Sequence, residues 1–111
     1  MADSPDAVRE RLSRLSGSAR RLLDYAVVLE GGARYEVLRH IARVSEEDMI
    51  EDLREVVEAG IVAAQEGRPN YYDFTNEEWR EVVLADAGEQ RLPKLRAKAE
   101  GARRRVEGRD R

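Results

Sequence analysis

The chain has 111 residues, including 20 Lys and Arg, 23 Asp and Glu, one His and no Cys. This length leaves room for one domain with a modest core. The lack of Cys excludes thiol catalysis, disulfides and Cys-based zinc sites. No apolar run approaches the ~20 residues that span a bilayer, and no apolar signal segment opens the chain. The sequence therefore predicts a soluble, cytoplasmic protein without membrane contact.

The net charge of −3 conceals two oppositely charged segments. Residues 46–58 carry seven acidic side chains against one basic side chain, and residues 91–111 carry nine basic against three acidic. A basic segment can bind an acidic partner such as nucleic acid, but the acidic segment of the same chain is the nearest candidate.

Three helices are predicted before residue 45. A Ser-Pro pair at 4–5 is typical of a helix start, and apolar residues follow it at helical spacing. The same period predicts helices over 5–15, 18–29 and 35–42, and Gly-Gly at 31–32 ends the second of them.

An acidic fourth helix and a β-hairpin are predicted next. Ser45 begins the helix in a pattern close to a capping box, and Gly60 ends it. Its predicted buried face consists of Met49, Ile50, Leu53, Val56 and Val57. The β-prone runs 61–64 and 71–74 flank a loop with Gly, Pro and Asn, which predicts a hairpin. Tyr72 and Phe74 share one face of it, expected over the core.

Two further helices complete the predicted order. Thr75 or Asn76 caps the first, whose Trp79 and the valines after it face inward. The second is highly charged, is expected to fray from about Arg103, and has an apolar seam consisting of Leu92, Leu95, Ala99, Ala102 and Val106. This seam either joins two copies as a coiled coil or covers the core of one chain.

The predicted fold is mainly α with a small two-stranded β-hairpin, a winged helix with extra N- and C-terminal helices. The hairpin is the wing, and it has to pack on the helices because an isolated hairpin is only marginally stable. The expected division is an N-terminal helix over 1–15, a winged-helix domain over 16–90 and a basic C-terminal helix and tail over 91–111.

Four segments resemble a known winged-helix module. They are LLDYAVVLEG at 22–31, LREVVEAGIV at 53–62, YDFTN at 72–76 and REVV at 80–83. The module follows the nucleotide-binding domain in large bacterial signalling ATPases of the STAND and AAA type, including those with LuxR-type DNA-binding domains. The resemblance implies a role in signal transduction or transcription regulation, with helical repeats following the module.

One position departs from that family pattern. The family has a His after the second strand, and in related ATPases a His of this module helps to hold the phosphates of the bound nucleotide. Asn76 occupies the position here. An amide can donate a hydrogen bond but cannot supply a proton-dependent charge.

The sequence predicts no enzymatic activity, cofactor or metal site. It has no Gly-x-x-x-x-Gly-Lys-Ser/Thr loop for a nucleotide. His40, the single His, has no second His or Cys as a co-ligand, so it is interpreted as an ordinary helix residue. The carboxylates of 46–58 lie on two sides of one helix, and no loop folds several oxygens around one point.

Two functions remain as alternatives. The first is docking to a protein partner or to neighbouring domains through an acidic face, flanked by Tyr71 and Tyr72, that consists of Glu47, Glu51, Asp52, Glu55 and Glu58. The second is a DNA-binding transcription factor with contacts from the wing and the C-terminal segment, through Arg68, Arg103, Arg104 and Arg105. Docking is favoured, because the helix before the wing would bring seven carboxylates close to DNA phosphates.

Overall fold

The computed structural model describes residues 5–109, which form five helices and a three-stranded antiparallel sheet. The elements are α1 Pro5–Ser13, α2 Gly17–Val27, β1 Ala33–Arg34, α3 Tyr35–Ala42, α4 Glu46–Glu58, β2 Val62–Ala64, β3 Tyr71–Phe74 and α5 Glu77–Arg109. The prediction of a mainly α fold with a small β component is confirmed. The predicted Ser4 cap lies outside the described residues.

The sheet has one strand more than the predicted hairpin. Its order is β1-β3-β2, with Ala33 opposite Tyr72 and Val62 opposite Phe74. Gly31 and Gly32 both have positive φ and turn the chain after α2, so that β1 pairs with β3. Because β1 contains only two residues, it is too short to show the alternation that identifies a strand in a sequence.

Three polar side chains begin helices. Ser16 Oγ accepts a hydrogen bond from the Ala19 N–H (3.2 Å) at the start of α2, and Ser45 Oγ accepts one from Asp48 N–H (3.1 Å) at the start of α4. Asn76 Oδ1 accepts from Trp79 N–H (3.1 Å) at the start of α5. The predicted caps at Ser45 and Asn76 are confirmed, and each satisfies a backbone donor that the helix leaves unpaired.

One hydrophobic core joins the helices, and every described helix contributes to it. Trp79 is buried as predicted, and Tyr72 and Phe74 pack against the core from the sheet. The most deeply buried large side chains are Leu23, Leu38, Met49, Ile61, Val8, Val56 and Val83.

Helix α5 turns at Gly88 and then covers the core. Gly88 has φ 74° and ψ 166°, a conformation that L-residues avoid. The part of α5 after Gly88 packs on α2 and α3. It remains helical to Arg109, so the prediction that the helix frays from about Arg103 is wrong. Ala99, Ala102 and Val106 lie in the core, which favours the covering role of the apolar seam over a coiled coil between two copies.

A network of ion pairs attaches α5 to the first two helices. Asp24 is only 4% exposed and accepts hydrogen bonds from Arg20 and Arg91, each at 2.9 Å. Asp86 on α5 pairs with Arg9 on α1 (3.2 Å) and with Arg20 (3.5 Å). We call these five residues the Asp24 network. Each of its carboxylates contacts two guanidinium groups, so the buried charge of Asp24 is compensated.

Candidate docking surface

The acidic face predicted on α4 divides into two parts. Asp52 accepts a hydrogen bond from Ser18 Oγ (2.7 Å), and Glu55 accepts one from the Ser16 backbone N–H (2.7 Å). Both carboxylates lie at the N-terminus of α2, where the helix macrodipole favours negative charge. They therefore help to fix α4 against α2, and their removal would affect the fold as well as any docking.

Glu47, Glu51 and Glu58 remain exposed on α4. Their spacing places them within one narrow sector of the helix, because each residue advances by about 100°. None of the three forms an ion pair with another of the residues that the structure describes. We call these three residues the acidic stripe.

Two aliphatic side chains next to the stripe were predicted to be buried and are not. Ile50 is 44% exposed and Val57 is 38% exposed, and they are the exposed large apolar side chains of the described chain. Met49, Leu53 and Val56 are buried as predicted. The apolar arc of α4 is wider than the surface that α2 and β2 cover, so its outer edge remains in solvent.

Ile50 and Val57 form one wall of an open groove of about 520 Å³ between α4 and the sheet. Leu53 lies with them, and Ala64 and Tyr72 line the groove from β2 and β3. Glu46, Arg54, Tyr35 and Asn70 complete the lining. We call this the α4–sheet groove. It is apolar along its length and has charged residues of α4 at its rim.

Tyr71 and Tyr72, which are adjacent on β3, have different positions. Tyr72 lies in the α4–sheet groove, whereas Tyr71 has the Arg68 guanidinium 3.8 Å from the centre of its ring. Successive side chains of a strand point to opposite faces, which separates the two. Tyr72 therefore flanks α4 as expected, and Tyr71 belongs to a cation–π pair with Arg68 of the β2–β3 loop.

Tyr35 begins α3 at one end of the groove. Its hydroxyl oxygen is buried and has no hydrogen-bond partner among residues 5–109. Burial raises the pKa of this hydroxyl, and the nearby Glu46 carboxylate raises it further. At physiological pH the group is therefore a neutral donor, and no acceptor for it lies in the part of the chain that the structure describes.

Three of the four arginines predicted as nucleic-acid contacts are engaged within the chain. Arg68 donates to the Gly31 carbonyl (2.6 Å) and to Gln65 Oε1 (3.0 Å). Arg103 pairs with Glu107 and Arg104 with Glu100, each at 3.5 Å. Arg105 forms no ion pair with any other described residue. Arg68 and Arg103 line one cleft together with Glu30 and Glu107, whereas Arg105 lines a different cleft.

Asn76 and His40, the other two residues that the sequence singled out for possible chemistry, lie at the start of α5 and within α3, respectively. Asn76, at the family's His position, caps α5, and His40 is half-buried on α3. Within residues 5–109, no cluster of three or more His, Cys, Asp or Glu residues could hold a metal ion. No helix in that part of the chain is long and apolar enough to cross a membrane.

Comparison with family models, with curated proteins and with solved structures found no match to this chain.

Proposed function

We propose that this chain is a non-catalytic docking module of winged-helix architecture. In this proposal, the α4–sheet groove binds a basic amphipathic segment of a protein partner or of a neighbouring domain.

The observation that carries the proposal is the exposure of Ile50 and Val57 side by side in one groove. Scattered single apolar residues on a surface need no explanation, but adjacent ones in a concave site are typical of interaction surfaces. Tyr72 adds an aromatic side chain to the same groove. Aromatic and aliphatic anchors of this kind provide most of the free energy in helix-in-groove binding.

The charge beside the groove specifies the partner. Glu46 and Arg54, the single base of α4, line the groove itself, and the acidic stripe lies beyond Arg54 on the solvent side of the helix. A partner that inserts apolar residues into the groove would place its flanking residues against these carboxylates. Arg and Lys at the flanks would raise the association rate and the specificity more than the affinity.

The element order supports the winged-helix part of the proposal. Helices α2, α3 and α4 precede β2 and β3, the loop between these strands forms the wing, and β1 pairs on the far side of β3. The resemblance to modules of multidomain signalling ATPases supports a partner within a larger assembly. The same surface would equally accept a separate protein that carries the required segment.

DNA binding through α4 is disfavoured by the same charges. A helix that presents Glu47, Glu51 and Glu58 would repel the phosphates that provide most of the affinity for DNA. Arg68, Arg103 and Arg104 already have partners within the chain.

A peptide selection tests the proposal directly. We would select binders of the full chain from a random library of ~18-residue peptides, which is about five helical turns. We expect enrichment of sequences with aliphatic residues at i, i+3/i+4 and i+7 and with Arg or Lys between them. Affinity of an enriched peptide would then be measured by fluorescence anisotropy.

Substitutions in and outside the α4–sheet groove test whether the peptide binds there. Ile50→Glu should weaken the peptide by about 30-fold or more, the effect of a hot-spot residue, whereas Ala85→Glu on exposed α5 should not. Replacing Glu47 and Glu51 of the acidic stripe by Lys should weaken binding mainly through the association rate, and the double variant Glu81→Lys, Glu89→Lys is the charge-matched control. Enrichment of acidic peptides, or binding that Ile50→Glu leaves intact, would contradict the proposal.

A further inference from the structure

A second cleft, of about 580 Å³, lies between α3 and the C-terminal end of α5. Its charged lining consists of five arginines and one carboxylate, in a chain whose net charge is −3. Four of these arginines are exposed, and we call their site the arginine cleft: Arg39, Arg43, Arg105 and Arg109. It lies apart from the α4–sheet groove, although Tyr35 borders both.

The four arginines have no negative partner in the described chain. The one carboxylate of the lining, Glu36, is bound to Arg34 at 3.1 Å. No ion pair within residues 5–109 includes any of the four. Like charges around one cavity repel each other, so an anion in the cleft would remove a repulsion as well as form new contacts.

Helix dipoles account for only part of this positive charge. Arg39 lies in the last turn of α3, and Arg105 and Arg109 lie in the last two turns of α5, where cations are favourable. Each helix end corresponds to roughly half a negative charge, so the two ends together offset about one arginine. The remaining positive charge is not balanced by any ion pair among residues 5–109.

Arg43 provides an independent observation. It is the C-cap of α3 and has φ 53° and ψ 44°, the left-handed conformation that Gly or Asn adopts most easily. An arginine at this position strains the backbone, and the residue lines the cleft together with three other exposed arginines. Strain of this kind is concentrated at functional positions.

We propose that the arginine cleft binds a small anion that carries two or more phosphate groups. Guanidinium groups donate paired, parallel hydrogen bonds that match the oxygens of a phosphate group. Arg105 and Arg109 are one turn apart on α5, and they face the C-terminal end of α3 across the cleft. Two adjacent phosphate groups can therefore bridge the two helices. The volume is within the usual range for small-molecule sites.

A compact anion fits this site better than a nucleic acid. A nucleic-acid strand leaving the cleft toward α4 would meet Glu46, which lies on the other side of Tyr35. A strand continuing along α5 would meet Glu100 and Glu107, which already neutralise Arg104 and Arg103. The unpaired arginines thus lie around one concave site, and they do not continue along the surface as a track for a nucleic-acid strand.

Calorimetric titration of the full chain with inorganic tripolyphosphate tests the proposal. We expect one binding site per chain. Arg105→Gln should weaken binding by about tenfold, the effect of one charge-assisted hydrogen bond. The pair Arg39→Gln and Arg105→Gln should weaken it by about a hundredfold. Arg104→Gln makes the same charge change one residue away, outside the cleft, and should leave the affinity within about twofold.

Arg43→Gly separates binding from folding. It removes one guanidinium group and the backbone strain together, so the affinity should fall by about tenfold while the melting temperature rises. An equal loss in the Arg104→Gln variant would overturn the proposal. So would no heat of binding at tripolyphosphate concentrations up to about 1 mM.

Calorimetric titrations with a nucleoside triphosphate and with a short DNA duplex would show which kind of molecule supplies the phosphate groups. Equal affinity for the nucleotide and for tripolyphosphate would indicate an inorganic polyphosphate, and tighter nucleotide binding would indicate a nucleotide; both outcomes support the proposal. Duplex binding that is stronger than tripolyphosphate binding and that also requires Arg103 and Arg104 would overturn it. None of these results depends on Ile50 or on the acidic stripe, so the proposed docking function is tested separately.

Discussion

Two charged regions lie on α5 and differ in how their charges are compensated. In the Asp24 network, two carboxylates and three arginines alternate, and each carboxylate contacts two guanidinium groups at 2.9–3.5 Å. In the arginine cleft, four guanidinium groups surround one cavity, and none has an ion-pair partner in the described chain. The first region stabilises the fold, whereas the second has charge available for a ligand.

The same contrast divides α4. Asp52 and Glu55 are hydrogen-bonded at the start of α2, and Glu47, Glu51 and Glu58 have no such partner. A count of charges along the sequence treats these five residues as one face. Their partners in the fold separate a structural pair from a surface that can bind another molecule.

The largest effect is expected from breaking the paired region. Asp24→Asn removes the buried charge that two arginines contact, so it should lower the free energy of unfolding by about 3 kcal/mol. Urea denaturation would measure this, with the exposed Glu89→Gln as the control for a lost carboxylate. A loss below about 1 kcal/mol, as for a surface ion pair, would show that the network adds little to the stability of the fold.

Much of the fold follows from local signals that the sequence contains. Ser45 and Asn76 begin α4 and α5 as predicted, because a polar cap side chain acts within its own turn. The inward face of Trp79, Val82 and Val83 follows from the 3.6-residue period.

Features that depend on contacts between distant parts of the chain could not be predicted from local capping or periodicity. β1 exists because Ala33 pairs with Tyr72, and a two-residue strand carries no period of its own. The period of α4 placed Ile50 and Val57 on its buried side, but whether they are buried depends on how far the sheet extends over the helix.

The arginine cleft illustrates the same limit. The sequence showed Arg103, Arg104 and Arg105 as one basic run, but the helical phase of α5 turns only Arg105 toward the cleft. Arg39 and Arg43 lie on α3, more than sixty residues earlier in the chain. Their convergence is a consequence of how α5 packs on α3, which a linear pattern of charges does not contain.

A smaller effect is expected at Tyr35, the unpartnered hydroxyl between the two candidate binding surfaces. Tyr35→Phe removes a buried donor that has no acceptor, so stability should increase by about 1 kcal/mol at neutral pH. The raised pKa means that the unfolded chain loses this proton first as the pH rises. The wild-type chain therefore loses no stability through this group below pH ~10, and it loses stability above that pH.

Denaturation of both chains at a series of pH values would test the stability gain at neutral pH and the stability loss above pH ~10. The wild-type chain should lose stability more steeply than the Phe variant above pH ~10, and the other tyrosines and lysines are common to both chains. Parallel pH curves would mean that the pKa of Tyr35 is not raised in the folded chain, and a less stable Phe variant at neutral pH would mean that the hydroxyl has an acceptor.

The smallest effect concerns the unpaired charges themselves. If Arg39, Arg43, Arg105 and Arg109 repel each other, salt should stabilise the wild-type chain, because it screens exposed charges over about 10 Å at 0.1 M. Replacing Arg105 and Arg109 by Gln should raise stability by only a few tenths of a kcal/mol at low salt, and it should reduce the response to salt.

The control pair Arg103→Gln and Arg104→Gln breaks two ion pairs instead, so its stability should fall slightly at low salt. Thermal melts at two salt concentrations would separate these outcomes, since repulsion and pairing respond to screening with opposite sign. An equal salt response in the wild-type chain and in the variant with Gln at 105 and 109 would show that the cleft arginines do not repel each other, and the contrast with the Asp24 network would then be lost.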